Sequence, residues 1–423
     1  MIPGGTAGPQ PGPEPGTAGG ANRARGLAEL ARFFLGLSVV GFGGPAAHLA
    51  IMQRELVERR AWLTQAEFLD LLGATNLIPG PNSTEMAIHI GYRRAGVLGS
   101  LVAGGCFIGP AALITLAVAW LYVRYGGLPR VQPMLQGIQA SVVAVIGLAA
   151  GSLSRTALPR PGLWGLAALA FAAALAGLPE ILVFFGGGLL YVAARQLAER
   201  FAVPRPPGGA AAVGGLLLVS AGGAVAPAAA SAAASAAASA AAGAMSLPAL
   251  GWFFVKVGSV IYGSGYVLVS LLLRGLVEEH HWLSRAVLLD AVAIGQLTPG
   301  PVFTTATCVG YLLRGEAGAA VATLGIFAPS FVLVWLLVAL LGRLAHSRPL
   351  RHFLDGVNAC SLAVLAATAC LLLYGERGSP GWLGFSVVAC LVGYRVRLNP
   401  SWLVVAGAVA GAVVGAVAAQ PAG

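Results

Sequence analysis

Charge is scarce in this 423-residue sequence: 25 Lys and Arg and 15 Asp and Glu, together 9% of the chain, where a soluble domain carries about a quarter. Hydrophobic residues make up 57%. A water-soluble fold must present polar groups to solvent and cannot hide that much apolar surface. Water-soluble enzymes, nucleic-acid binders and disordered hubs are thereby excluded. Lysine is nearly missing: Lys256 is the single one among the basic residues. The formal net charge of +10 is scattered in ones, twos and threes between apolar runs, as in the loops of membrane proteins and not as in a nucleic-acid surface. The five cysteines (Cys106, Cys308, Cys360, Cys370, Cys390) are odd in number and show no metal-ligand spacing, so neither a disulfide framework nor a zinc site is indicated. There is no Gly-x-x-x-x-Gly-Lys-Ser/Thr loop, no His-Glu-x-x-His and no cofactor fingerprint. The sequence describes a polytopic membrane protein, expected to be neither an enzyme nor in need of a cofactor.

Residues 1–26, rich in Pro, Gly and Ala, lack the charged-then-apolar order of a cleaved signal and are expected to form a disordered tail. Apolar runs of spanning length follow near 30–53, 65–91, 96–123, 134–154, 162–179 and 181–199. They recur near 249–273, 286–312, 317–342, 354–374, 379–394 and 401–419. Lipid offers backbone groups no partner, so these segments are expected to be helical.

The strongest feature is an internal repeat. Phe33-Phe34 matches Phe253-Phe254, Trp62 matches Trp282, Asp70 matches Asp290 and Pro79-Gly80-Pro81 matches Pro299-Gly300-Pro301, each offset by 220. Gly91-Tyr92, Pro110 and Gly137 then match Gly310-Tyr311, Pro329 and Gly356 at an offset of 219, one residue having been lost after the Pro-Gly-Pro. The expected organisation is a first repeat at 27–205, an Ala/Gly-rich linker at 206–247 and a second repeat at 248–423. Arginine-rich and arginine-poor loops swap between the copies. Under the positive-inside rule, that swap reads as two copies inserted upside down to each other. Inversion requires the linker to cross once, giving about 13 spans with the amino terminus inside, although Arg54, Arg59 and Arg60 would then face outside. The expected fold is therefore all-α and polytopic, with two inverted repeats of about six spans and helices broken at each Pro-Gly-Pro.

Two prolines around a glycine stop a helix, and a proline suits the first turn of the next one. A helix that starts within the membrane turns free N–H groups and its positive dipole end toward whatever lies there. Asn76, Asn82, Ser83 and Thr84 flank Pro79-Gly80-Pro81, and Gln296, Thr298, Thr304 and Thr305 flank Pro299-Gly300-Pro301. These donors suit a small oxyanion; the alternative is an ordinary proline kink with back-bonded hydroxyls. Gly43 and Gly44, matched by Gly263 and Ser264, offer either a second helix break or close helix packing. Ionisable groups at depth mark ion or proton routes: Asp70, Glu85 and His89 in the first copy, Lys256 and Asp290 in the second. Glu85 and His89, spaced i, i+4, have no counterpart in the second copy and suit an asymmetric coupling role. Arg93 follows the Gly-Tyr pair, where it attracts anions or serves as a topology signal.

At these residues the sequence resembles the chromate ion transporter family. The likeness rests on Phe-Gly-Gly-Pro at 42–45, Glu-Arg-Arg-x-Trp at 58–62, Pro-Gly-Pro in both halves and Gly-Tyr-Arg-Arg-Ala-Gly at 91–96. The resemblance implies an inner-membrane, multi-pass secondary carrier that expels chromate by the proton motive force, with sulfate as the close structural analogue. Its partners would be a small oxyanion and membrane lipid, not nucleic acid, and a homodimer is left open. The family's turns map onto Gly43, Gly44, Pro79, Gly80, Pro81, Gly263, Pro299, Gly300 and Pro301. Sulfate or another small anion, carried inward, is the alternative within transport; an intramembrane enzyme using Glu85, His89 and Asp70 is the alternative outside it.

Overall fold

The computed structural model describes residues 20–42, 44–128, 131–200, 246–262, 265–344, 347–375, 380–396, 398 and 400–418. The expected linker, with the crossing assigned to it, lies outside the described residues but for its last two positions. Every regular element among the described residues is helical. Among the described residues five helices are long and apolar enough to cross a membrane (Asn82–Tyr125, Gln132–Ser154, Glu180–Ala198, Val302–Leu340 and Pro349–Gly375), and four shorter apolar helices accompany them.

In the first copy the helices are α1 (Gly20–Val40), α2 (Gly44–Gln53), α3 (Gln65–Thr75), α4 (Asn82–Tyr125), α5 (Gln132–Ala157), α6 (Pro161–Leu175) and α7 (Glu180–Arg200). In the second they are α8 (Leu247–Gly258), α9 (Val267–Leu272), α10 (Arg285–Leu297), α11 (Thr305–Leu344), α12 (Arg348–Gly375), α13 (Pro380–Val396) and α14 (Pro400–Ala418). Helix α1 begins at Gly20, inside the segment expected to be a disordered tail. Its first turns include the good helix formers Ala21, Arg23, Ala24 and Arg25, and Arg25 faces Glu29 one turn on. The run expected as one span at 30–53 is two helices, because the chain leaves helical geometry after Val40.

Local conformation is duplicated along with sequence. A wide π-helical turn occurs at Arg54–Arg59 and again at Leu273–Glu279. Ala61 and His281, 220 apart, both take positive φ, 47° and 52°. The N–H groups of Trp62 and Trp282 then donate to Leu56 and Leu276 carbonyls, each at 2.7 Å.

Helices α4 and α11 are each two arms. Ala95-Gly96 and Arg314-Gly315 leave helical geometry, with φ of 65° and 62° at the glycines. Gly91 lies against Gly99 and Ala103, and Gly310 against Gly318 and Ala322. In a continuous helix residues eight apart would be about 12 Å apart. The chain therefore doubles back, and glycine is required where the arms touch backbone to backbone. The first arm of α4, residues 82–94, is about 20 Å long by the helical rise, shorter than a hydrocarbon core of about 30 Å.

The chain divides into two compact units, and neither unit is one of the copies. The first comprises residues 1–124, 250–265 and 294–342. A core of Phe33, Phe34, Phe68, Met86 and Phe107 holds α1 to α3 and both arms of α4 together. The second comprises 125–249, 266–293 and 343–423. Within it the long helix of each copy packs against the last two helices of the other, α5 against α13 and α14, and α12 against α6 and α7. Small residues permit the approach: Gly137 faces Gly407, Pro133 faces Gly411, and Gly356 faces Gly187 and Gly188. Arg160 pairs with Asp355 at 2.7 Å, and Arg274 with Glu180 at 3.4 Å.

Candidate functional site

Asn76, Asn82, Ser83, Thr84 and Glu85 of the first copy and Gln296, Thr298, Thr304 and Thr305 of the second all lie in the first unit, at the two Pro-Gly-Pro segments. Helix α3 ends at Thr75 and α4 begins at Asn82; the six residues between are non-helical. Across that gap the Asn82 side-chain amide donates to Asn76 Oδ1 at 2.7 Å. In the second copy the chain leaves α10 at Leu297 and passes through a short 3₁₀ turn, Val302–Thr304, into α11. Pro79, Gly80, Pro81, Pro299, Gly300 and Pro301 are all buried. Gly80 has φ of 141° and Gly300 φ of 90°, conformations that L side chains avoid.

The two segments are seated reciprocally. The Gly80 N–H donates to the Ile261 carbonyl at 2.7 Å, and the Gly300 N–H donates to the Gly41 carbonyl at 3.0 Å. Gly41 and Ile261 are themselves 220 apart and lie just beyond the first helix of their copies. Each turn thus docks on the helix end of the other copy. The next contact repeats the exchange. Gly80 lies against the Ser330 hydroxyl, and Gly300 against the Ala111 methyl; Ala111 and Ser330 are equivalent at the 219-residue offset.

The polar lining breaks this symmetry. Around the second turn the hydroxyls of Thr298, Thr304 and Thr305 are all engaged. Thr304 and Thr305 donate to the Pro301 and Val302 carbonyls at 2.9 and 2.8 Å. Thr298 donates to the Gly295 carbonyl and accepts from Thr115 at 3.1 Å. Gln296 is buried beside them. Around the first turn, Ser83 bonds His48, but the Thr84 hydroxyl, both Glu85 oxygens, His89 Nδ1 and the Ser330 hydroxyl are buried with no hydrogen-bond partner among the described residues. Glu85 is 0% exposed and Ser330 is 0% exposed. Such groups are costly unless something absent from the protein chain completes them. Glu85 and His89 share a helix face as expected, yet do not bond each other.

His48 is a site residue that sequence reasoning missed. It is fully buried, with Nε2 at 2.9 Å from the Gly41 carbonyl and Nδ1 at 3.3 Å from Ser83 Oγ. A carbonyl only accepts, so Nε2 carries the hydrogen, and Nδ1 of the neutral ring accepts from Ser83. Gly41 O therefore receives both His48 and Gly300, tying the second turn to the first residues of α4. Nothing distinguishes a lone histidine in an apolar run from a core residue until its partners are visible. Ser330 and Thr115 were missed for the same reason, although Ser330 differs in polarity from its repeat mate Ala111.

Other expected residues fall elsewhere. Asp70 is exposed, whereas Asp290 is buried in the second unit and accepts from Gln139 Nε2 at 2.9 Å. Lys256 is exposed, its ammonium 5.9 Å from the Phe253 ring centroid. Arg93 donates to Glu67 Oε1 at 2.7 Å, and Arg94 stacks 3.8 Å over Trp62. Gly44, with φ of 76°, is buried beside Val302. Gly43, Gly263 and Ser264 lie outside the described residues. No group of three or more metal-ligating side chains occurs among the described residues.

Comparison with known proteins agrees on the family. The family model described as chromate transporter matches residues 28–192 and again 248–412. The chain is 31% identical over 373 residues to a chromate transport protein of Cupriavidus metallidurans, covering 86% of this chain and 87% of that one. It is 28% identical over 351 residues to a probable chromate transport protein of Synechococcus elongatus, covering 82% and 85%. A chromate transport protein of Pseudomonas aeruginosa is 29% identical over 360 residues, 84% of each chain. No solved structure matches the chain. This is a multi-pass helical protein of the plasma membrane, a transporter and not an enzyme, and it belongs to the chromate transporter family.

Proposed function

We propose that the protein is a secondary active carrier that exports a small divalent oxyanion, chromate, across the inner membrane. The observation that carries this reading is the reciprocal seating of the two turns, Gly80 on Ile261 and Gly300 on Gly41. It gathers two helix openings and the unpartnered donors of Thr84 and Ser330 within one compact unit. Helix openings favour negative charge, and hydroxyls supply hydrogen bonds that tetrahedral oxygens accept. The curated relatives named as chromate transport proteins support chromate as the cargo.

The copies act as inverted repeats with alternating access, and the exchanged contacts of Gly80 and Gly300 are those a pseudo-two-fold pair would make. The inside-negative potential favours anion exit by about 2.3 kcal/mol per charge per 100 mV, so a dianion leaves without nucleotide hydrolysis. Cells expressing the protein should accumulate less chromate than cells carrying an empty vector, and vesicles containing it should move labelled chromate. Sulfate and molybdate as competitors rank the anions. Equal accumulation with and without the protein refutes chromate export.

A further inference from the structure

One carboxyl stands out in the first unit. Glu85 is fully buried, and neither oxygen has a hydrogen-bond or ion-pair partner among the described residues. It lies against Gly80, on the same side as the Ser330 hydroxyl: a methyl group built on Gly80 would collide with both. Ser330 comes from the second arm of α11, so the two copies each contribute one side chain. Thr84, the residue before Glu85 in α4, is likewise fully buried, and its hydroxyl has no hydrogen-bond partner among the described residues. Around Gly300 in the second copy the corresponding neighbours are the Ala111 methyl and Ser38, with no carboxyl among them.

We infer that Gly80, Thr84, Glu85 and Ser330 form a joint proton-and-oxyanion subsite, so that one proton travels with the anion in the same direction. This rests on the proposed export function and specifies its coupling. An ionised Glu85 and a dianion cannot share a dry pocket without a cation between them, since like charges at contact distance in a low dielectric repel by several kcal/mol. With a proton on its carboxyl, Glu85 becomes a hydrogen-bond donor and joins the hydroxyls of Thr84 and Ser330 in facing the anion. Proton binding and anion binding therefore strengthen each other, and linkage makes that effect reciprocal. The carried unit is then a dianion plus one proton, with a net charge of −1. The membrane potential still drives it outward, while the transmembrane pH difference opposes the proton's exit.

Other groups that face this carboxyl leave the assignment intact. Tyr262, beside the Ile261 carbonyl that holds Gly80, is near enough to feel the Glu85 charge. His89 is one turn along α4, with Arg93 close enough to act on it electrostatically. His48, from α2, is engaged with Gly41 and Ser83. None of them bonds to the Glu85 oxygens.

The test uses the full chain in sealed vesicles, with chromate as the probe, the potential clamped at zero and a pH dye in the lumen. The medium is kept alkaline enough that free chromate binds no proton. The expected result is about one proton moving with each chromate, in the same direction, and an apparent affinity that rises about tenfold for each unit of acidification. Glu85→Gln, which keeps a donor but cannot release a proton, should exchange chromate more slowly, with no proton movement and no pH dependence. Ser330→Ala should weaken chromate binding about tenfold, the loss of one hydrogen bond to a charged group. Chromate flux by the unaltered protein with no proton movement, or with protons moving the opposite way, overturns the inference and leaves export standing. Proton coupling that survives in Glu85→Gln overturns the assignment to Glu85. Absence of any chromate flux in the unaltered protein overturns the export reading itself. The direction of proton movement in the unaltered protein decides the matter even if a variant fails to fold.

Discussion

Thr115 donates to Thr298 at 3.1 Å, at the place where the other half of the first unit sets Val334 and Ile78 in one apolar cluster. The four positions are equivalent in pairs, Ile78 with Thr298 at an offset of 220 and Thr115 with Val334 at 219. One duplicated contact has thus become polar in one copy and greasy in the other, beside turns that are otherwise matched.

That pair gives a double-mutant test. Thr298→Ile leaves the Thr115 hydroxyl without its acceptor in a dry site and should destabilise by about 1–3 kcal/mol. Thr115→Val together with Thr298→Ile rebuilds the apolar version and should cost less than the two single changes added together. Thermal unfolding in detergent reads the difference; strict additivity would show that the hydroxyls do not interact.

Alanine at either turn glycine should abolish transport. At Gly300 the new methyl meets Ala111, and at Gly80 it meets Glu85 and Ser330, in both cases on a backbone with positive φ. Strain of about 1–2 kcal/mol adds to overpacking of about 1–3 kcal/mol. Ala111→Gly should recover part of the stability of Gly300→Ala by removing the clash, but not the strain. Full recovery of flux and stability in that double variant would show that backbone conformation there is unimportant.

His48→Phe keeps a ring in the apolar setting beside Phe107, whose centroid is 5.2 Å away, while removing both hydrogen bonds. The Ser83 hydroxyl then loses its acceptor, and the Gly41 carbonyl keeps only Gly300. A loss of about 2–4 kcal/mol is expected, with Ser83→Ala costing about 1 kcal/mol. Unfolding midpoints within experimental scatter of the parent would contradict a linking role for His48.

Arg93 is tied to Glu67, which also completes the cap of α3 through the Thr64 N–H at 2.8 Å. The Thr64 N–H first, and then Arg93, hold the Glu67 carboxyl below its ordinary range. A depressed carboxyl contributes stability that is complete at neutral pH and is lost as pH falls through its folded value. Both side chains are about two-fifths exposed, 42% and 39%, so solvent screening keeps the effect below about 1 kcal/mol. Glu67→Gln should flatten the acid side of the stability profile, and Arg93→Gln should match it while leaving chromate affinity within about twofold. A tenfold loss of affinity in Arg93→Gln would return that guanidinium to the anion route.

The helix breaks at both Pro-Gly-Pro segments were legible because proline and glycine act locally, through a missing donor and a permitted φ. The break after Val40 was only half legible, since Gly41-Phe42-Gly43-Gly44 suits close packing as well. The reversals at Ala95-Gly96 and Arg314-Gly315 were not foreseen: their glycines sit among many others, and only contact between Gly91 and Gly99 shows that the chain turns back. Asp70 and Asp290 look alike in sequence, yet one is exposed and the other is bonded to Gln139. Burial is a property of neighbours and not of the residue.

By itself the sequence determined a membrane-embedded helical chain, its duplication and the two Pro-Gly-Pro interruptions, one in each copy, because apolar content and backbone sterics need no distant partner. Tertiary structure alone decided that the compact units mix the two copies, that each turn rests on the opposite copy, and that Glu85, Thr84 and Ser330 are left unpartnered on one side only. Those outcomes depend on which surfaces meet, and residues more than two hundred positions apart can be brought together only by packing.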